Sequence, residues 1–195
     1  MAATAEKRKA GRPPARRDRL DATAFVEAGF EALARDGIEA VRVEPLAAAL
    51  GVTKGSFYWH FADRDALLAA LFDRWAKGRV AAIRAETDNG ADPRATLYRL
   101  IELYARGPNT RGLAIELAIR GLARGDARAA AAVNAVDGER LARVAALFGG
   151  LGHKAADAEA CAFLFYAFVF GQSLIARRSD VALRTAAADL FLRRA

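Results

Sequence analysis

Cysteine is nearly absent from this chain: Cys161 stands alone among 195 residues. A single thiol builds no intrachain disulfide framework and gives no pointer to an oxidising compartment. Histidine is almost as scarce. His60 and His153 lie far apart in sequence and Cys161 has no companion, so no metal site or cofactor is expected. Long apolar runs are missing as well. The longest uncharged stretch, 160–176, contains Gly171, Gln172 and Ser173 and falls short of a membrane span. The opening MAATAEKRKAGRPPARRDR has no apolar centre and does not read as a secretory signal. Alternating β-branched residues, the mark of strands, are lacking throughout. These absences lead us to expect an all-α, soluble, cytoplasmic protein with no membrane partner.

What is present is apolar bulk and positive charge. Hydrophobic residues make up 54% of the chain, enough for a real core and against general disorder. The formal net charge of +7 suits a polyanionic partner. Phe25, Gly29, Ala32 and Leu33 share one face of a first helix that stops at Gly37. A short second helix follows over roughly 44–50, with Pro45 tolerated in its first turn. Gly51 then supplies a tight turn, Thr53 a cap, and a third helix is expected to reach about Phe61. Asp63 caps a longer fourth helix with Leu67, Leu68, Leu71, Phe72 and Trp75 on its apolar side. Breaks at DNGADP, GPNTRG, RGD and GGLGHKAAD separate four further helices, and Ser179-Asp180 introduces a last one. The pattern divides into a basic arm (1–18), a three-helix head (19–64) and a helical body (65–195).

The segment GVTKGSFYWHF, residues 51–61, carries the chemistry. Two short helices joined by a glycine turn form a helix-turn-helix, whose second helix enters the major groove of DNA. At about 100° per residue, Phe57 and Phe61 turn inward while Trp59 points nearly the opposite way, with Tyr58 towards the edge. Gly55 costs a helix roughly 1 kcal/mol against alanine, which a close approach of phosphate or base edge would justify. Lys54 adds a cation where helix N-terminal amides already favour an anion. The same spacing also occurs in ordinary helical bundles, where an aromatic pair serves packing alone. A catalytic pairing of Ser56 with His60 has no oriented acid or oxyanion site beside it, so no enzyme is expected.

At these residues the chain resembles the TetR family of bacterial one-component transcriptional regulators, from about Leu20 to Trp75. The resemblance is carried by LAAALGVTKGSFYWHFADRDALL after an apolar helix ending in DG. It implies a DNA-binding head, a body that binds ligand and dimerises, and about nine helices in all. It further implies a repressor released from a palindromic operator by a small molecule. Carried over by position, Thr53, Lys54, Gly55, Ser56, Tyr58, Trp59 and His60 match DNA-facing residues, and Arg64 matches a basic position on the DNA backbone. Arg42 stands where many relatives have a capping Ser or Thr that touches phosphate. Trp59 replaces the more usual tyrosine. The arm, with Arg8 and Arg12 among its cations and AGRPP resembling the centre of an AT-hook, reads as a minor-groove segment when placed before such a head. By itself it would also pass for a solvated tail.

In the body, Trp75, Tyr98, Tyr104, Phe148, Phe163 and Tyr166 are candidates to line a pocket for a small, mostly apolar effector, or equally to fill a core. The stretch 157–178 is apolar nearly all round, unlike a monomer's surface helix, and is expected to form a homodimer interface with the last helix. Cys161, Phe165, Phe168 and Gln172 lie on one side of it; Phe163, Tyr166, Phe170 and Leu174 lie nearly opposite. Either side suits a partner. The alternative to an effector-released repressor is a constitutive or architectural DNA-binding protein whose body only dimerises.

Overall fold

The computed structural model describes residues 21–105, 110–175 and 181–194. Ser179-Asp180 and the first half of GPNTRG lie outside them. Nine α-helices and no strand occur among the described residues.

Helix α1 spans Ala22–Asp36, and the Asp21 carboxylate caps it by accepting from the Ala24 amide at 3.0 Å. It stops at Gly37, whose φ of 78° favours glycine, and whose amide donates back to Leu33 O at 3.1 Å. A single 3₁₀ turn, Ile38–Ala40, leads into α2 at Val43–Ala49. Gly51, with φ 68°, turns the chain, and the Val52 amide closes the corner on Ala47 O at 3.0 Å. Thr53 accepts from the Ser56 amide at 3.4 Å and starts α3, Lys54–Tyr58. This helix is shorter than the expected run to Phe61. Its last turn tightens, because Phe57 O accepts from both the His60 amide (2.9 Å) and the Phe61 amide (3.0 Å).

Asp63 caps α4, Arg64–Thr87, by accepting from the Ala66 amide at 2.8 Å. The body continues with α5 (Pro93–Ala105), α6 (Thr110–Leu122), α7 (Ala127–Gly150), α8 (Ala155–Leu174) and α9 (Val181–Arg194). Asp126 caps α7 through the Arg128 and Ala129 amides.

Two apolar clusters hold the chain together. The first gathers Phe25, Phe30, Leu33, Val41, Leu46, Phe57 and Phe61 from the head, and continues through Leu67, Leu71 and Trp75 to Ile115, Ile119, Ala129 and Val136. Phe25 meets Phe57 edge-on at 5.4 Å and Phe61 at 6.4 Å, pairs worth about 0.5–1.5 kcal/mol each beyond area burial. The second cluster joins Ile83, Leu97, Leu100, Val144, Phe148, Ala162, Phe165, Val169 and Leu192. Helix α4 contributes to both. The head core therefore runs past residue 64 into α6 and α7, and no gap in packing separates head from body.

Candidate nucleic-acid interface

The inward ring of Phe57 fixes α3 in rotation, and what remains outside is a polar and aromatic face. Trp59 is 89% exposed and Tyr58 57% exposed, unusual values for large rings in a folded head. Tyr58 still touches Phe57 edge-on at 5.3 Å, so its ring is braced from behind. Lys54, Gly55, Thr53 and His60 are exposed on the same short element. The His60 ring lies 6.1 Å from Phe25, beside the core aromatics. Lys54 Nζ reaches Glu44 Oε1 on α2 at 2.7 Å, and this bond, above all, lowers the Glu44 pKa. Both side chains are well exposed, so the pair contributes little to stability and can open to an anion. A Cβ added at Gly55 would meet only Thr53 Oγ1, at 3.5 Å, which is ordinary contact. Nothing inside the protein requires a glycine there.

Two of the expected DNA-facing residues are placed differently. Ser56 is buried, and its Oγ meets no hydrogen-bond partner among the described residues. It lies about 100° from Phe57 around the helix, on the flank that the head closes over. Arg64 is half-buried, its Nε donating to Val41 O at 2.6 Å and Nη2 to Ile38 O at 2.8 Å. Its guanidinium ties the link between α1 and α2 to the start of α4, rather than extending into solvent. Arg42 is exposed at the N-cap of α2 and makes no capping bond with its side chain. Arg8 and Arg12 lie outside the described residues.

The body residues separate in the same way. Trp75 is buried in the first cluster and Phe148 is fully buried in the second, so both are core. Tyr98 is half-buried against the second cluster, and burial first, then a hydrogen bond with Asp189, raises its pKa. The Tyr104 side chain is outside the described residues. Phe163 and Tyr166 do line a groove of about 210 Å³ between α7 and α8, together with Arg120, Asp137, Arg140, Leu141, Ala167 and Phe170. Its charged residues escaped the sequence reading, although Glu116 and Arg120 at i,i+4 and Asp137 and Arg140 at i,i+3 were visible as charges repeated on one helix face.

On α8, Phe165 is fully buried in its own chain, Cys161 is half-buried, and Phe168 stacks on Phe191 of α9 at 6.2 Å. The side carrying them packs internally. The Gln172 side chain is outside the described residues. The exposed side instead presents Ala160, Phe163, Leu164 and Ala167, with Leu183, Ala186 and Leu190 exposed along α9.

The architecture and this head define a class: an all-helical protein with an N-terminal helix-turn-helix fused to a helical body. Residues 25–71 match the family model for bacterial regulatory proteins, tetR family. Among solved structures, the chain resembles a proposed transcriptional regulator from Saccharomonospora viridis in complex with choline. The two share 21% identity at a TM-score of 0.76, over 88% of this chain and 95% of that one. It is also similar to a transcriptional regulator from a Rhodococcus species (21% identity, TM-score 0.74, 90% and 95% covered). A TetR transcription regulator from Haloarcula marismortui matches at 17% identity and a TM-score of 0.73, over 89% and 96%. The chain thus shares its fold with these proteins along nearly its whole length. No helix among the described residues is long and apolar enough to cross a membrane.

Proposed function

We propose that the protein is a cytoplasmic repressor that binds a palindromic operator as a homodimer and lets go when a small, mostly apolar molecule occupies its body. The observation that carries this reading is α3 itself. It pairs an inward Phe57 with an outward Trp59 and Tyr58, a cation at Lys54 and a bare backbone at Gly55. A packing-only helix has no use for a ring left 89% in solvent. Thr53, Arg42 and His60 flank this face and complete the contact surface. Arg64 acts from behind, by holding α2 and α4 in fixed relation.

Dimerisation is supported by the apolar side of α8 and α9 that is exposed among the described residues. Two-fold pairing there would set the two α3 helices about one DNA turn apart, 34–36 Å, as a palindrome demands. Effector binding is supported by the groove between α7 and α8 and by the choline held in a chain of the same fold. A ligand shifts DNA affinity only through unequal affinity for two arrangements of the chain. Helix α4, rooted in both clusters, is the element that can transmit such a difference.

Nuclease footprinting on genomic fragments selected by the protein tests the reading. Discrete, two-fold symmetric protection is expected. Broad coverage without a preferred site would instead make it a constitutive architectural protein.

A further inference from the structure

Beneath the α7–α8 groove lies a charge network that DNA binding does not use. Glu116 on α6 and Arg140 on α7 are almost wholly buried and form a double hydrogen bond at 2.6 and 3.1 Å. Arg120 bonds Glu116 Oε1 at 3.0 and 3.2 Å and Asp137 at 2.6 and 2.8 Å. Arg79 of α4 approaches Glu116 Oε2 at 3.5 Å while donating to Gly112 O. Among the described residues, three guanidinium groups thus meet two carboxylates, and α8 brings no charged side chain between 160 and 174. Arg120 is about a quarter exposed and lines the groove, so its guanidinium is within reach of an added anion there.

The five groups differ in how easily they exchange partners. Glu116 is sealed in. Asp137 is about one-third exposed, so water can compensate it when Arg120 turns away. The walls are apolar, formed by Leu141, Phe163, Ala167 and Phe170. The Phe170 ring already carries Arg120 at 4.8 Å and Arg140 at 5.3 Å, so an ammonium ligand would meet like charge and an occupied ring. A volume of about 210 Å³ holds roughly seven waters at about 30 Å³ each, or one ring with a short acid arm.

We propose that this groove binds a small apolar monocarboxylate, an aromatic or short-chain acid, whose carboxylate takes the place of Asp137 on Arg120. The apolar remainder lies against Phe163 and Leu141. The site deepens the effector reading and rests on it for the consequence at the operator, but not for binding itself.

The test titrates the full-length protein with benzoate and hexanoate, and with benzamide, hexanamide and benzyltrimethylammonium, by calorimetry and thermal shift. Both acids are expected to bind saturably, and the amides at least about tenfold more weakly, since a bond to a charged partner is lost. Arg120→Gln should erase the preference for acid over amide. Leu141→Ala, a wall residue on α7 away from the proposed dimer face, leaves the ionic network intact and should weaken both acids several-fold, which guards against Arg120→Gln simply failing to fold. Equal binding of acid and amide, binding of the ammonium in place of the acids, or no acid binding overturns the proposal. Operator affinity is measured in parallel. Acids that bind without releasing DNA leave the site standing and sink the release reading; release by a non-acid with no acid binding does the reverse.

Discussion

At the scale of single residues, Gly55 and Ser56 are neighbours with opposite tasks. The sequence resemblance puts both on the DNA side; the structure exposes Gly55 and buries Ser56. Gly55→Ala should therefore be accepted by the fold and raise its stability by up to about 1 kcal/mol. On the proposed reading its new methyl stands where DNA would approach, so operator affinity should fall several-fold. Ser56→Ala removes a buried hydroxyl without a partner among the described residues, and should raise stability by up to about 1 kcal/mol with affinity unchanged. Thermal melts and operator titrations on the two variants check both signs; a Ser56→Ala protein that melts as before but loses DNA would return Ser56 to the interface. The misplacement has a physical origin. A residue a quarter-turn from the core direction is inside or outside according to how the neighbouring helices close, and a helical wheel does not contain that information.

At the scale of elements, helix starts were legible because caps are local chemistry: Thr53 and Asp63 each hold the amide their position requires. The inward side of α8 was not legible, because an all-apolar helix has no polar face to orient it. Packing decided it by stacking Phe168 on Phe191 and sealing Phe165. The joint between α1, α2 and α4 offers a sharper test of roles. On the proposed reading Lys54 meets a phosphate in each subunit, so Lys54→Ala should lower the log–log salt slope by roughly two per dimer. Its melting temperature should barely move, given the exposed pair it breaks. Arg64→Gln cuts two bonds to backbone carbonyls, so it should lower both stability and affinity while leaving the salt slope as it was. A slope change in Arg64→Gln of the same size as in Lys54→Ala would make Arg64 a phosphate ligand after all.

At the scale of the whole molecule, α4, α6 and α7 are joined through Glu116, and this joint has a pH signature. Burial pushes its carboxyl up, but Arg140, Arg79 and Arg120 outweigh that and hold it below the usual 4.5. Glu139 is likewise held down, at about 2, by hydrogen bonds from Arg84 and Arg143. In both cases the unfolded chain binds the proton more tightly, so the stabilisation is complete above pH 4.5 and is lost as pH falls through the folded values. Melting temperatures should be level from neutrality to about pH 5 and drop below it. Glu116→Gln should be less stable at neutral pH, by about 3–5 kcal/mol for a broken buried pair, yet show a shallower acid slope. An unchanged slope would remove Glu116 from the account. Assembly is tested at the same scale. Leu164→Arg and Leu190→Arg should sediment as folded monomers with greatly weakened operator affinity, whereas Phe168→Arg should damage the fold itself. Folded dimers from both leucine variants would put the interface elsewhere.

The two tryptophans of the chain also divide the molecule optically. Trp59 stands in water at the tip of the head, while Trp75 is sealed in the core at the entrance to the body, its indole N–H without a partner among the described residues. Indole emission moves to the red in polar surroundings and to the blue in apolar ones, so the spectrum of the unlabelled protein should contain both components. Iodide should quench only the red one. Duplex DNA should dim that same component by covering Trp59, while Trp75, buried in the first cluster and no part of the groove lining, should leave the blue component in place. Operator occupancy could then be followed in one cuvette against an internal reference, from light the protein already emits.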